Sequence, residues 1–427
     1  MIDQKLIVEN PKLIREKLLK KGCDVDFEPF LKMVNRRKEL LLSVENAKAE
    51  RNRLSASVPE VKKSGGDVQA IFAKVKEISA KNAKDEEELN KLEEGIRAFL
   101  LPLPNLPDDD LLPGGKENNK VIQEFGEDRH YDFKLKDHVE LCESLGLIDY
   151  VRGAKMSGHG CWVYTDKGAQ LEWALLNFFI SEHLKDGYKF ILPPHILNEE
   201  SGYVAGQFPK FKDDVFALEG ITPRKFILPT AETALVNLHR DEILPEDALP
   251  LKYFAYTPCY RKEAGTYRTE ERGMIRGYQF NKIEMFQYTT AEQDKGAFEE
   301  LVKKACSLMQ KLGLRFHLSK LAAEDISASM ARTYDIEVWI PSMGIFKEVS
   351  SVSTAHDYQA RRGMIRYREK ESGKTKYCST LNGSGLATSR VFPAIIEQYQ
   401  QADGSVIIPE VLRPFIGGLE KLEPIKK

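Results

Sequence analysis

This sequence of 427 residues lacks cysteine pairs, long apolar runs and a strong charge of either sign. Its six cysteines, Cys23, Cys142, Cys161, Cys259, Cys306 and Cys378, are too few for a disulfide framework in so long a chain. They form no C-x-x-C pair, and the eight histidines show no zinc-ligand spacing, so the cysteines read as reduced core or surface residues. No run of ~18 apolar residues occurs, so no membrane-spanning helix is expected. Met1 to Lys21 is mixed polar and apolar, so no secretory signal is expected and the cytoplasm is the expected compartment. Basic and acidic residues number 63 and 65, so any nucleic-acid contact must come from a local patch rather than from net charge.

Common cofactor and hydrolase motifs are missing too. No G-x-G-x-x-G opens a helix, and neither G-x-S-x-G nor H-E-x-x-H occurs. Gly114-Gly115-Lys116 lacks the first glycine and the final Ser/Thr of a phosphate loop, and reads as solvated linker. Lys155-Met156-Ser157-Gly158 reads as a plain loop.

What is present falls into two regimes. Residues 27–99 are rich in Lys, Glu, Leu, Ala and Asn. Phe27, Leu31, Val34, Leu41 and Val44 give a broken 3-4 spacing; Ile71, Val75, Ile78, Leu89, Leu92, Ile96 and Phe99 give a clear one, with Asn82 and Asp85 at seam positions between the apolar runs. Ser57-Val58-Pro59-Glu60 and Ser64-Gly65-Gly66-Asp67 mark the break between two helices folded back on each other. Each arm of ~30 residues would reach ~45 Å and project into solvent. Pro102, Pro104 and Pro107 make a stiff connector, and the domain boundary is placed near residue 110. Thus residues 1–110 form a helical arm with its linker, and 111–427 a second domain. In the latter, Ala169–Lys185 reads as an amphipathic helix, and Lys189–Leu192 and Glu337–Ile340 as buried strands.

Two arginines stand in settings suited to a polyphosphate, whose oxygens match guanidinium forks. Arg261 lies in Cys259-Tyr260-Arg261-Lys262-Glu263-Ala264-Gly265, followed by a charged, glycine-bearing loop, Thr266 to Arg276. A strand-like run follows, Tyr278 to Phe286, so the two segments read as a hairpin with reactive groups on one face. Arg390 ends Leu386-Ala387-Thr388-Ser389-Arg390 and opens an apolar helical stretch.

The segment from Arg261-Lys262-Glu263 through Arg272-Gly273-Met274-Ile275-Arg276 to Gln279-Phe280-Asn281-Lys282-Ile283-Glu284 resembles motif 2 of class II aminoacyl-tRNA synthetases, and within that class the seryl enzymes. Other elements follow in the same order. Gly187-Tyr188 through Pro193-Pro194 resembles motif 1, and Leu228-Pro229-Thr230-Ala231-Glu232 the T-x-E element. Gln207 to Phe211, Lys347-Glu348-Val349-Ser350-Ser351 and Gln359-Ala360-Arg361-Arg362 are seryl-like. Asn382-Gly383-Ser384-Gly385-Leu386-Ala387 to Arg390 resembles motif 3, and the hairpin arm and the ending Ile408 to Phe415 complete the pattern.

The resemblance implies an α+β fold: an antiparallel two-helix coiled-coil arm before a class II catalytic domain, built on an antiparallel sheet flanked by helices and working as a homodimer through motif 1. It implies a serine–tRNA ligase that forms seryl-adenylate from L-serine and ATP with Mg²⁺. Serine then passes to tRNA(Ser), with tRNA(Sec) as a second RNA to consider. Arg261 and Arg390 are the implied catalytic residues. Arg261, Lys262, Glu263, Gly277, Glu348, Val349, Ser350, Ser351 and Arg390 are implied to hold ATP, with Glu348 and Ser351 on Mg²⁺. Thr230, Ala231, Glu232, Arg261, Glu284 and Ser384 are implied to hold serine. Lys48, Arg51, Arg53, Lys62 and Lys63 suit phosphate contacts on the arm.

Four positions depart from the seryl pattern: Lys262 for a small residue, Gly277 for an apolar one, Ser389 for glycine, and Pro393 early in the last helix, where the helix start would shift. Two rival readings are a relative that loads serine onto a carrier protein, which would lack the long arm, and an inactive coiled-coil interaction protein.

Overall fold

The computed structural model describes residues 1–263 and 273–425. They divide into two compact units. One comprises Ile2–Glu16 and Cys23–Leu103, the other Met1, Lys17–Gly22 and the chain from Pro104 onward.

The first unit is built on two antiparallel helices, α1 (Glu28–Lys63) and α2 (Val68–Leu100). The seam of α2 is the expected one, with Ile71, Val75, Ile78, Asn82, Asp85, Leu89, Leu92, Ile96 and Phe99 turned inward. That of α1 runs through Phe30, Met33, Arg37, Leu40, Val44 and Ala47, a regular alternation of threes and fours. Leu40 is thus the buried residue rather than Leu41. Arg37 explains the apparent break in the pattern: a charged residue holds a seam position, its stem half-buried and its guanidinium 3.0 Å from Glu93. Asp85 accepts from Ser43 Oγ at 2.8 Å across the seam.

The helix break is also later than the sequence suggests. Helix α1 continues through Pro59 to Lys63. The carbonyl that Pro59 leaves without an N–H belongs to Ser55, which is exposed, so water can satisfy it. The turn is at Ser64–Asp67, with Gly65 at φ +73°, and Asp67 caps α2 by accepting from Ala70 N at 3.0 Å.

The second unit is an α+β domain centred on an eight-stranded sheet. Its strands are β1 (Lys120–Phe125), β2 (Lys189–Ile191), β3 (Leu251–Tyr260), β4 (Gln279–Thr289), β5 (Phe316–Lys320), β6 (Arg332–Ile340), β7 (Ile345–His356) and β8 (Ser379–Ala387). The order across the sheet is β1-β5-β6-β7-β8-β4-β3-β2, antiparallel except for the β3–β2 pair. Strand β2 lies at the edge and is largely exposed, not buried as its apolar run suggested. Helices α3 (Asp166–Lys185), α4 (Asp294–Lys311) and α5 (Thr388–Gln398) send Leu175, Phe179, Phe298, Leu301, Phe392 and Ile395 into one core with Ile283, Met285, Ile336, Val338 and Val352 of the sheet. The strand period of two then leaves Glu284, Phe286, Asn382 and Ser384 on the opposite face.

Candidate active site

Strand β4 places Lys282 and Glu284 on that second face while Ile283 and Met285 enter the core. Glu284 is fully buried, and Lys282 Nζ is ion-paired with its carboxylate. Lys282 also donates to Thr230 Oγ1 at 2.7 Å, and that hydroxyl donates to Glu284 at 3.4 Å. Ser384 sits opposite Glu284 in the β4–β8 register.

Asn382, two residues along β8, donates from one nitrogen to Glu284 at 3.1 Å and to Glu232 at 3.3 Å. Two carboxylates on one side fix the amide orientation, because its oxygen could not face them. That oxygen is buried and meets no donor among the described residues. Glu232 opens the short helix Glu232–Leu235 and also accepts from Gln359 Nε2 at 2.8 Å. Burial, then the charge of Glu284, push the Glu232 carboxyl up to about 7, against the pull of Gln359, Lys282 and Arg261. Ala231 beside it turns into an apolar cluster with Leu235 and Phe286.

Arg261 leaves the end of β3. Its backbone N–H donates to Tyr278 O at 3.0 Å, its Nε donates to Pro229 O at 3.3 Å, and its guanidinium lies 5.2 Å from the Phe280 ring centre. Lys262 donates through Nζ to Asp213 O at 3.0 Å and through its backbone to Asp214 O at 3.1 Å, tying down the loop that follows Gln207. This accounts for a lysine where a small residue was expected. Glu263 pairs with Arg276 at 2.8 Å, and Gly277 follows Arg276, buried. Of the loop between them, residues 264–272 lie outside the described residues.

Glu348 and Ser351 are three apart on β7, a spacing that in a regular strand puts two side chains on opposite faces. The register is interrupted: Ser351 pairs with Asp335, Ser350 with Ile336, and Glu348 with Glu337. Val349 is the extra residue of a β-bulge, so Glu348 and Ser351 share one face with Asp335 and Glu337. Val349 contributes its side chain to the core, and Ser350 Oγ donates to Ser384 O at 2.7 Å. Ser351 Oγ donates to the buried Asp335, whose carboxyl is held well above the ordinary range by burial and by the charge of Glu348.

Arg390 lies in the first turn of α5. Its Nε donates to Ile275 O at 3.2 Å, and its Nη1 donates to Glu348 O at 2.7 Å and lies 3.5 Å from the Glu348 carboxylate. The helix starts at Thr388 and runs through Pro393 to Gln398. Its start is therefore not displaced, and Pro393 is accommodated inside the helix.

The folded chain thus brings together Thr230, Glu232 and Glu284 in one buried hydrogen-bonded cluster with Ser384 opposite Glu284 in the strand register, Arg390 with Glu348, and Ser350 with Ser384. Lys282, Gln359, Asn382 and Asp335 were not among the sequence-derived site residues. Lys282 could have been found from its spacing of two from Glu284.

A model of the seryl-tRNA synthetase N-terminal domain matches residues 1–107, and one of the tRNA synthetase class II core domain (G, H, P, S and T) matches residues 217–399. Serine–tRNA ligase 2 of Clostridium acetobutylicum is 58% identical over 98% of this chain and 99% of its own. The chain belongs to the seryl-tRNA synthetase family. Within it, serine–tRNA ligase of Thermodesulfovibrio yellowstonii is 41% identical over 98% of this chain and 99% of its own. The family fold recurs in a crystal structure of seryl-tRNA synthetase from Pyrococcus horikoshii complexed with ATP, at a TM-score of 0.93 and 31% identity, each chain covered in full at 100%.

Proposed function

We propose that the chain is a serine–tRNA ligase of the cytoplasm, working as a homodimer, that activates L-serine with ATP and transfers it to the 3′ end of tRNA(Ser). The observation that carries the serine half is the buried set Glu232, Glu284, Lys282 and Asn382. Two carboxylates against one lysine leave a negative charge to be matched, and the Asn382 oxygen adds an acceptor. The ammonium of serine supplies the charge and N–H donors; its hydroxyl finds Glu284, Thr230 and Ser384. Alanine, without the hydroxyl, would leave part of this buried set unpaired, which discriminates strongly.

Serine's carboxylate is already ionised at neutral pH, so it can attack the α-phosphorus of ATP without a general base, forming seryl-adenylate as the α–β phosphoanhydride bond breaks and pyrophosphate leaves. The residues then position the reactants and stabilise charge. Arg261, fixed by Pro229 and Tyr278, faces the α-phosphate as charge develops there. Arg390 takes the far end of the triphosphate, and Lys262, Glu263 and Gly277 line the base end.

The bulge supports a divalent cation at Glu348 and Ser351, because a carboxylate and a hydroxyl on one face suit a hard ion. Among the described residues no group of three or more His, Cys, Asp or Glu is placed to hold a metal ion. When bound, Mg²⁺ would neutralise phosphate charge.

In the second step the terminal ribose hydroxyl of the RNA attacks the adenylate carbonyl, forming the ester as the acyl–phosphate bond breaks and AMP leaves, with the hydroxyl's proton passing to solvent or phosphate. Lys48, Arg51, Arg53, Lys62 and Lys63 suit phosphate contacts on the hairpin, although Lys48 and Arg53 are partly engaged by Glu86 and Glu50. The homodimer is supported by edge strand β2 and the exposed Leu192 and Ile196 beside it.

Serine-dependent exchange of pyrophosphate into ATP, with and without charging of RNA, tests the whole reading. No exchange with any amino acid would sink it; exchange without RNA charging would favour the carrier-protein relative. Deleting residues 30–97 should spare exchange and cripple charging.

A further inference from the structure

Another residue fills the space that a side chain at Gly277 would need. A Cβ built there would lie 2.2 Å from Cζ3 and 2.6 Å from Cη2 of Trp162, and 2.8 Å from Gly160 O. The six-membered edge of the indole occupies the volume into which any side chain at 277 would grow. The contact is close to the residues described above. Arg276, on one side of Gly277, is paired with Glu263 at 2.8 Å. Tyr278, on the other, accepts the Arg261 N–H at 3.0 Å and donates its own N–H to Gly160 O at 3.4 Å. The segment Gly160–Trp162 is therefore laid along the stretch of backbone that anchors Arg261. Trp162 is half-buried, meets Tyr164 edge-on at 6.3 Å and leans on the main core, so packing from behind fixes its ring.

We propose that Trp162 is a specificity-determining residue of the nucleotide site, its indole edge forming the wall beside the base of ATP that a side chain at 277 would otherwise form. This rests on the reading that Glu263 and Gly277 line the base end of that site. The missing side chain and the large ring are two halves of one exchange of volume. A glycine at 277 is required because Trp162 is present, and Trp162 supplies an apolar, polarisable surface to a purine where a smaller residue would supply only bulk.

The test uses the full chain and ATP. The three tryptophans are reduced to Trp162 by Trp173→Phe and Trp339→Phe, and emission is followed as ATP is added without serine. Trp162 emission should change and saturate. Separately, Trp162→Ala should raise the KM for ATP by about fivefold or more, the lower range for loss of an aromatic contact to a base, with the KM for serine unchanged. Gly277→Val alone should damage ATP binding, and Trp162→Ala/Gly277→Val should recover much of it. A merely structural Trp162 would move thermal stability but not the KM for ATP selectively. If serine-dependent exchange runs normally while Trp162 emission is silent to ATP and Trp162→Ala leaves that KM unchanged, the inference is overturned and the site reading stands. If the unaltered chain shows no exchange with any amino acid, both fall.

Discussion

One nitrogen of Asn382 lies 3.1 Å from the Glu284 carboxylate and 3.3 Å from that of Glu232, so a single amide group holds two buried acids together. Replacing it by alanine leaves the acids to repel each other with Lys282, Gln359, Thr230 and Arg261 to compensate. Asn382→Ala should raise the KM for serine by about tenfold or more, as for a lost hydrogen bond to a charged group, with a much smaller effect on the KM for ATP. Steady-state exchange kinetics decide this; equal effects on both substrates would contradict the division of the site.

The Glu232 carboxyl, held at about 7, gives serine binding a pH dependence. Only the ionised form matches an ammonium. Below about 7 serine must bind against a protonated Glu232, so affinity should fall towards tenfold per pH unit as acid is added. A KM for serine that stays flat from about pH 8 to about pH 6 would contradict the assignment of Glu232.

Glu172 on α3 is a buried acid with no cation beside it among the described residues. It accepts from Asn281 Nδ2 at 2.7 Å and from Thr388 Oγ1, and burial pushes its carboxyl up to about 7. Raised above its unfolded value, the folded carboxyl binds a proton more tightly than the unfolded one. Its contribution is therefore most favourable in acid and declines as pH rises through the window from the ordinary carboxylate range to about 7. The full difference is about 3 kcal/mol. Glu172→Gln should remove much of that decline, making the variant the more stable chain at pH 8 in urea unfolding. A Gln variant less stable than the parent at both ends of the window would show that the ionised form is the preferred one.

Leu40 and Leu41 separate the two phases of the arm. Leu40→Ala deletes a buried side chain from the seam and should cost about 2–5 kcal/mol, whereas Leu41→Ala on the flank should cost about 1 kcal/mol or less. The melting transition of the isolated effect is read by far-ultraviolet circular dichroism of the full chain. Reversed magnitudes would restore the phase that the apolar residues alone suggest.

The arm is legible in the sequence because it rests on period and spacing, whereas the sheet-based domain and the order of the site motifs are legible through the family resemblance that Arg261 to Glu284, Thr230 to Glu232 and Asn382 to Arg390 carry. What is not legible has physical reasons. Helix α1 hides its phase because Arg37 holds a seam position by its stem. Pro59 marks a break that does not occur because the carbonyl it orphans faces solvent. Strand β2 reads as buried because periodicity alone does not separate an edge strand awaiting cover from a central one. Asn382 is brought to Glu284 and Glu232 by cross-strand register, which no local pattern encodes.

The extra residue at Val349 makes strand β7 a phase shifter. Before it the odd and even positions face one way, and after it they exchange places. Straightening the bulge while keeping all its residues would turn every side chain on one side of it through half a revolution relative to the other, separating Glu348 from Ser351, whereas deleting Val349 would leave the two at a regular spacing of two and still on one face. The interval Glu-x-x-Ser, which elsewhere describes one face of a helix, is here the signature of a strand that has skipped a beat.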